Sequence, residues 1–340
     1  MPVRLNIDPF DRGRDLEEAA TLLAARHRRD RAREPLLPAA FETTDACRDQ
    51  IEPSFQNEGW CGVAARAGGD LAGYAIAAPQ VFAPTHLLAN FFPARGASLA
   101  YGAHAARQGE VHDVYREMYA ALSEILVARG FFDHGVSIPA ADPESAEAWT
   151  SLGFGRNLTC AIRGVDPPAR AVASTVDLHA AGAEDTEVIF ALNEELSLHH
   201  VRAPIFNPYM RESDTASHDF QKNLLADSAA NAHWVGYNEG RAVGMNTFMQ
   251  PFFLSPMTVP EKTVYLFQGI VSADARASGV GTAILAGGVG WAREQGYEHV
   301  ALHFASANVS GARFWQSSGF RPIEHGMRRH IDERIAWANR

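Results

Sequence analysis

The sequence predicts a duplicated α+β protein, two mixed β/α halves in tandem, and three observations carry that prediction. The chain has 340 residues, 46% hydrophobic and 21% charged, about twice the length of an ordinary domain at ordinary globular composition. Shifting it by 166 residues places Gly130-Phe131 on Gly296-Tyr297, Trp149 on Trp315 and Gly153-Phe154 on Gly319-Phe320 without a gap. Between the two copies, the stretch from Gly164 to Ser174 holds Pro167-Pro168, which continues neither a helix nor a central strand. The expected organisation is a first domain over 1–165, a linker over 166–174 and a second domain over 175–340.

Hydrophobic periodicity supplies the elements. In the first half Asp15 to Arg29 has helical spacing, and Trp60 to Ala75 alternates, turns at glycines and alternates again, as a β-hairpin does. His112 to Arg129 then predicts a long helix, Gly135 to Ile138 a strand and Pro143 to Ser151 a helix. In the second half Glu184 to His199 predicts a helix with acids in its first turn, Trp234 to Met245 a second hairpin and Thr263 to Val271 an apolar strand. After a glycine-punctuated turn, Val280 to Gln295 predicts a helix stopped by Gly296, and His299 to Ala305 a buried strand. Asn308 to Ser317 predicts a helix, and Phe320 to Ile331 a last strand pair.

Composition narrows the function. Residues 1–170 carry 17 basic and 22 acidic side chains and residues 171–340 carry 13 and 18, so both halves are equally acidic. That balance lacks the basic footprint of nucleic-acid binding and is compatible with a cationic substrate. No run approaches the roughly 20 apolar residues of a membrane span, and MPVRLNIDPF has no signal core, so the expectation is a soluble cytoplasmic protein. Cys47, Cys61 and Cys160 are scattered and odd in number, which predicts buried thiols rather than a disulfide framework. Adjacent His199 and His200 diverge on a helix, so no metal site is expected there.

The most informative segment is Arg276-Ala-Ser-Gly279-Val280-Gly281-Thr282, which follows a strand and opens a helix. Free backbone N–H groups, the helix dipole and two glycines without Cβ atoms make an anion cradle there. The lysine of a phosphate-binding Walker loop is missing, and Ile284 stands where a dinucleotide fingerprint needs a small residue. Twenty-seven residues after Gly281 comes Asn308, then Trp315 and Gly319-Phe320. The order strand, Arg-x-x-Gly-x-Gly, helix, strand, Asn, helix, Gly-Phe resembles the core of the Gcn5-related N-acetyltransferase (GNAT) superfamily. The resemblance covers about 175–335 and, through the repeat, extends weakly to 1–165. It implies a mostly antiparallel, splayed central sheet flanked by helices in each half, with acetyl-CoA as co-substrate. It also implies a pyrophosphate turn at Arg276, Gly279, Val280, Gly281 and Thr282, pantetheine contacts from the backbone of Ile270 and Val271, and a further contact from Asn308, which is equally suited to capping its helix.

The catalytic groups are less clear. Seven residues after the asparagine the family usually places a tyrosine acid, and here stands Trp315, whose indole is no acid at this task but suits core packing. The position where some members carry a base is Tyr265, and His199 in the first helix of the second half is another candidate. At the 166-residue shift Arg276 falls on Glu110, Gly279 on Asp113, Gly281 on Tyr115 and Asn308 on Asp142, which opposes a cofactor in the first half. The expected function is transfer of an acetyl group to the amine of a small molecule in a ternary complex; a non-catalytic acyl-CoA sensor is the alternative. The segments Val201 to Met210 and Phe252 to Lys262 suit either an apolar lid or a contact between domains or within a homodimer.

Overall fold

A computed structural model describes residues 5–167 and 176–338, so the expected linker lies outside the described residues except for Asp166 and Pro167. The first half runs β1 (Asn6–Pro9), α1 (Arg12–Arg33), α2 (Thr44–Ile51), β2 (Cys61–Ala67), β3 (Asp70–Val81), β4 (Arg95–Leu99) and β5 (His104–Ala106). It continues through α3 (Val111–Ala128), β6 (Asp133–Pro139), α4 (Pro143–Ser151) and β7 (Gly155–Gly164). The second half runs β8 (Asp177–Ala180), α5 (Thr186–Val201), α6 (Asp214–Ala226), β9 (Ala232–Asn238), β10 (Arg241–Met249) and β11 (Thr263–Val271). It closes with α7 (Val280–Glu294), β12 (His299–Ala305), α8 (Val309–Ser317), β13 (Arg321–His330) and α9 (Ile335–Ala338).

The duplication is visible in the element boundaries. β6, α4 and β7 reappear as β12, α8 and β13 with both ends of each displaced by 166 residues. The helix-ending glycines repeat too: Gly130, Gly153, Gly296 and Gly319 have φ of 76°, 84°, 82° and 89°, a left-handed conformation that a side chain would strain.

The two halves do not keep separate sheets. Thirteen strands among the described residues join in the order β1-β2-β3-β4-β6-β13-β7-β12-β11-β10-β9-β8, with β5 on β3. Each half lends its last strand to the other. β13 pairs antiparallel with β6 of the first half and with β7, and β7 also pairs antiparallel with β12 of the second half. The exchange covers what would be an exposed edge on each sheet and carries Met327 of β13 into the first half's core beside Val136 and Phe154. Phe320 to Ile331 is therefore one central strand rather than a strand pair. Sequence patterning cannot distinguish the two, because alternation reports a face and not a partner.

Apart from the parallel pairs β4–β6 and β11–β12, every ladder among the described residues is antiparallel. Buried Cys47, Cys61 and Cys160 are free thiols, and no described helix is long and apolar enough to cross a membrane. Both loops left open by the sequence meet the first half. Met257 of the loop after β10 is fully buried among Tyr101 and Ala103, and Asn90 bonds the Met210 N–H (2.7 Å) and the Ser213 hydroxyl (2.8 Å).

Candidate active site

The site begins where two parallel strands part. β11 and β12 pair from Thr263/His299 to Leu266/Leu302 and no further, since β11 stays with β10 while β12 stays with β7. A β-bulge helps to open the wedge. Thr247 faces Gln268 and Phe248 faces Leu266, leaving Phe267 as the extra residue that re-aims the strand beyond it.

Beyond the bulge lies a cleft of about 330 Å³ whose β11 wall is Gly269, Ile270 and Val271. Its mouth is the turn into α7. Gly279 is left-handed at φ 85°, Ala277 has φ 62°, and Arg276 Nε donates to the Val271 carbonyl at 2.9 Å, folding the guanidinium over the turn. The first helical bond of α7 is Ala283 N–H to Gly279 O (3.0 Å), so the preceding amides of Val280, Gly281 and Thr282 have no partner in the helix. Gly281 has ordinary helical backbone, and its missing side chain is what leaves space. A Cβ there meets the Phe314 ring and Val271 Cγ2 at 3.3 Å.

On the opposite side α8 supplies Asn308 and Trp315. Asn308 caps the helix through Oδ1, accepting from Gly311 N–H (3.0 Å) and the Ser310 hydroxyl (3.1 Å), and lines the cleft as well. Trp315 also does two things: it packs in the core against Phe320, and its indole lies against Gly269, where a Cβ comes within 2.9 Å of the ring. His199 on α5 sits beside Arg276 and hydrogen-bonds Asn308; burial and the Arg276 charge lower its pKa, against the pull of that hydrogen bond, and leave it neutral at pH 7. Trp315 lies seven residues along α8 from Asn308, about 10 Å of helix. His199 and Trp315 line the same cleft, with His199 on the side of Arg276 and Asn308.

Tyr265 is absent from the cleft wall. It lies at the apex of the wedge, on the α6 side of the sheet, buried against Leu224 and Met249, with its hydroxyl 3.0 Å from Nδ1 of His303 on β12. Burial depresses His303 to about 4 and raises the Tyr265 phenol far above its usual value, so both are neutral.

Sequence reasoning missed Asn246. It stands opposite Gly269 in the β10–β11 register, lines the cleft, is only 5% exposed, and its Nδ2 has no acceptor among the described residues. A polar residue inside the apolar run Val243 to Met249 was the available signal.

The residues of 196–320 match the acetyltransferase (GNAT) family model. That match lies wholly within the second half. Human N-acetyltransferase 8 is 29% identical over 103 residues, 30% of this chain; the chain spans 44% of that relative's length. The GNAT fold also accounts for the whole chain. A Gcn5-related N-acetyltransferase of Sphaerobacter thermophilus superposes with a TM-score of 0.58 at 15% identity, covering 97% of each chain. A tandem GNAT protein from the clavulanic acid biosynthesis pathway does so with a TM-score of 0.52 at 16% identity, covering 96% of this chain and 98% of its own.

In the first half the corresponding positions are filled by side chains. Aligned on their terminal glycines, Gly130 and Gly296, α3 has 18 residues to the 15 of α7, so α3 begins one turn earlier and fills the place of the anion turn. Tyr115, the counterpart of Gly281 in this alignment, is 1% exposed, its ring centroid 5.1 Å from that of Trp149 and its hydroxyl 2.9 Å from His104 Nδ1. Asp142, the counterpart of Asn308, is likewise turned inward as the cap of α4. The Tyr115 and Tyr119 rings pack against Trp149, which also makes with Phe154 the edge contact that Trp315 makes with Phe320.

Proposed function

We propose that this protein is an acyl-CoA-dependent N-acetyltransferase whose second half binds acetyl-CoA and passes the acetyl group to the amine of a small molecule. The observation that carries the reading is the turn at Gly279, where three unpartnered amides and a space reserved by Gly281 open onto the cleft between β11 and β12. In this reading the amides of Val280, Gly281 and Thr282, with Arg276, hold the pyrophosphate. The backbone of Ile270 and Val271 and the side chain of Asn308 hold the pantetheine arm. Acetyl-CoA supplies a thioester open to attack by a neutral amine. Asn246 and the β11 amides are the donors available to the carbonyl oxygen at the cleft floor. The first half, lacking an anion turn, closes the seam over the second.

The proton released by the amine is assigned to the Tyr265–His303 pair: the hydroxyl takes it as its own proton passes to Nδ1 of His303, 3.0 Å away, and the transient imidazolium gives that proton up as the thiolate departs, restoring the neutral pair. Tyr265→Phe is expected to lower kcat by about 10²-fold while the KM for acetyl-CoA stays within twofold. Neither member of the pair changes charge between about pH 5 and 9. The kcat/KM profile is therefore expected to rise with pH as the acceptor amine loses its proton, with no acidic limb from the enzyme; a limb near pH 6 to 7 would implicate a different group.

Trp315 favours the second reading, a protein that binds acyl-CoA without turnover, because the indole cannot protonate the departing thiolate. Titration with acetyl-CoA and assay of CoA release over an amine panel separate the two readings. One equivalent bound per chain with release supports the enzyme, one equivalent without release supports the sensor, and two equivalents contradict the closed first half. Trp315→Tyr is expected to keep or raise the rate at a stability cost of about 1–3 kcal/mol, because the smaller ring packs less fully against Gly269 and Phe320. A large fall in turnover with a normal melting curve would give the indole a role of its own.

A further inference from the structure

Resting on the acetyltransferase reading, we infer that the acceptor is an amine with an aromatic or bulky apolar body, held in a phenylalanine-walled subsite at the seam between the two halves. The wall is a chain of six rings from four places in the sequence. Phe267, the extra residue of the β11 bulge, lies 5.5 Å from Phe220 of α6 and 6.5 Å from Phe91 of the first half. Phe252 and Phe253, at the start of the loop after β10, meet edge to face at 4.3 Å and join Phe220 at 6.0 Å and Phe91 at 6.2 Å. Phe92 meets Phe253 at 6.2 Å.

Three features turn this cluster from core into subsite. Phe91 and Phe252, large apolar side chains that folding would otherwise bury, are 51% and 49% exposed, so the chain of rings runs from solvent to the strand. Its inner end adjoins the proposed proton acceptor: Phe267 is 6.3 Å from Tyr265, whose hydroxyl bonds His303, and lies two residues before Gly269 of the cleft wall. Finally, a buried side-chain amide relay passes the same point. Gln221 donates to Gln268 (2.7 Å), Gln268 to Asn193, and Asn193 to Ser217 (3.3 Å). This leaves Gln221 Oε1, in a side chain 1% exposed, with no donor among the described residues. An unpaired buried acceptor beside an apolar wall suits a ligand that brings one N–H and an uncharged body. The six rings offer a polycation no countercharge.

The reach of the first half into this wall is fixed by the Asn90 bonds to Met210 and Ser213, adjacent in sequence to Phe91. The half without an anion turn thus contributes to acceptor choice.

The test uses the intact protein, saturating acetyl-CoA and three probes: 2-phenylethylamine, ethylamine and spermidine. The expected kcat/KM for 2-phenylethylamine exceeds that for ethylamine by about 100-fold, the effect of burying a phenyl ring. Spermidine falls below it. Phe91→Ala, at an exposed position the fold tolerates, is expected to raise the KM for 2-phenylethylamine about tenfold with kcat and the KM for acetyl-CoA unchanged; Phe252→Ala does the same from the other side of the rim. Acetyl-CoA binding with spermidine or ethylamine as the better acceptor overturns the apolar subsite and leaves the acetyltransferase reading standing. If acetyl-CoA does not bind, that reading falls by itself. The subsite is then decided by saturation-transfer NMR with 2-phenylethylamine: binding that Phe91→Ala removes supports it, and no binding overturns it.

Discussion

Gly281→Asp is expected to abolish measurable acetyl-CoA binding while leaving the protein folded. Two effects act in the same direction. The new Cβ meets the Phe314 ring and Val271 Cγ2 at 3.3 Å, both of which line the cleft, so the carboxylate it carries stands within the turn proposed to hold the diphosphate. Its charge then opposes an anion in a partly desolvated turn, where one unit pair at 4 Å costs roughly 4 kcal/mol at an effective dielectric of 20, about a thousandfold in affinity. The protein stays folded because the backbone of Gly281 is ordinary helix and an acid in the first turn of α7 is favoured by the helix dipole; the 3.3 Å contacts require the Phe314 ring or Val271 to shift by a few tenths of an ångström, a modest stability cost. The matched control is His112→Asp, an exposed position in the first turn of α3. Tyr115 does not serve as the control, since removing its buried ring would damage the first half whatever its effect on ligands. Calorimetric titration with acetyl-CoA beside a thermal melt decides the matter. Wild-type affinity in the glycine variant, or equal loss in both variants, would separate this turn from the cofactor and take the acetyltransferase reading with it.

Ending the chain after Phe320, which removes β13, is expected to unfold both halves rather than one. β13 lies between β6 and β7 and carries Ile323 and Met327 into two different cores. Its loss opens the edge of β6 in the first half and leaves β7 attached to β12 alone. Two full ladders and two buried side chains outweigh the roughly 5–15 kcal/mol that keeps a domain folded. The readout is hydrogen exchange over residues 133–139 with circular dichroism of the truncated chain. A chain ending after Ile331, which keeps β13, should melt like the full-length protein. Native protection of β6 in the shorter chain would mean that the first half completes its own sheet and that the strand exchange is dispensable.

Much of the site was legible because it is local. An anion turn is made by consecutive residues, and Arg276 through Thr282 announce it by glycine spacing and position after a strand. The same holds for Asn308, whose cap geometry needs only its own helix, and for the 166-residue repeat, whose paired elements keep their boundaries. Asn246, the Tyr265–His303 bond and the phenylalanine wall were not legible. Each joins residues far apart in the chain, and an isolated polar residue in a strand or a phenylalanine in a loop carries no sign of its partner.

What the sequence determined by itself was everything set by short-range chemistry: element order, the duplicated plan, the turn that can hold an anion and the absence of that turn from the first half. Only the tertiary structure decided which strand completes which sheet, which side of the cleft His199 lines, and which face of β11 meets the first half. The physical reason is that periodicity encodes that a face is buried, whereas the partner that buries it is chosen by packing over the whole molecule.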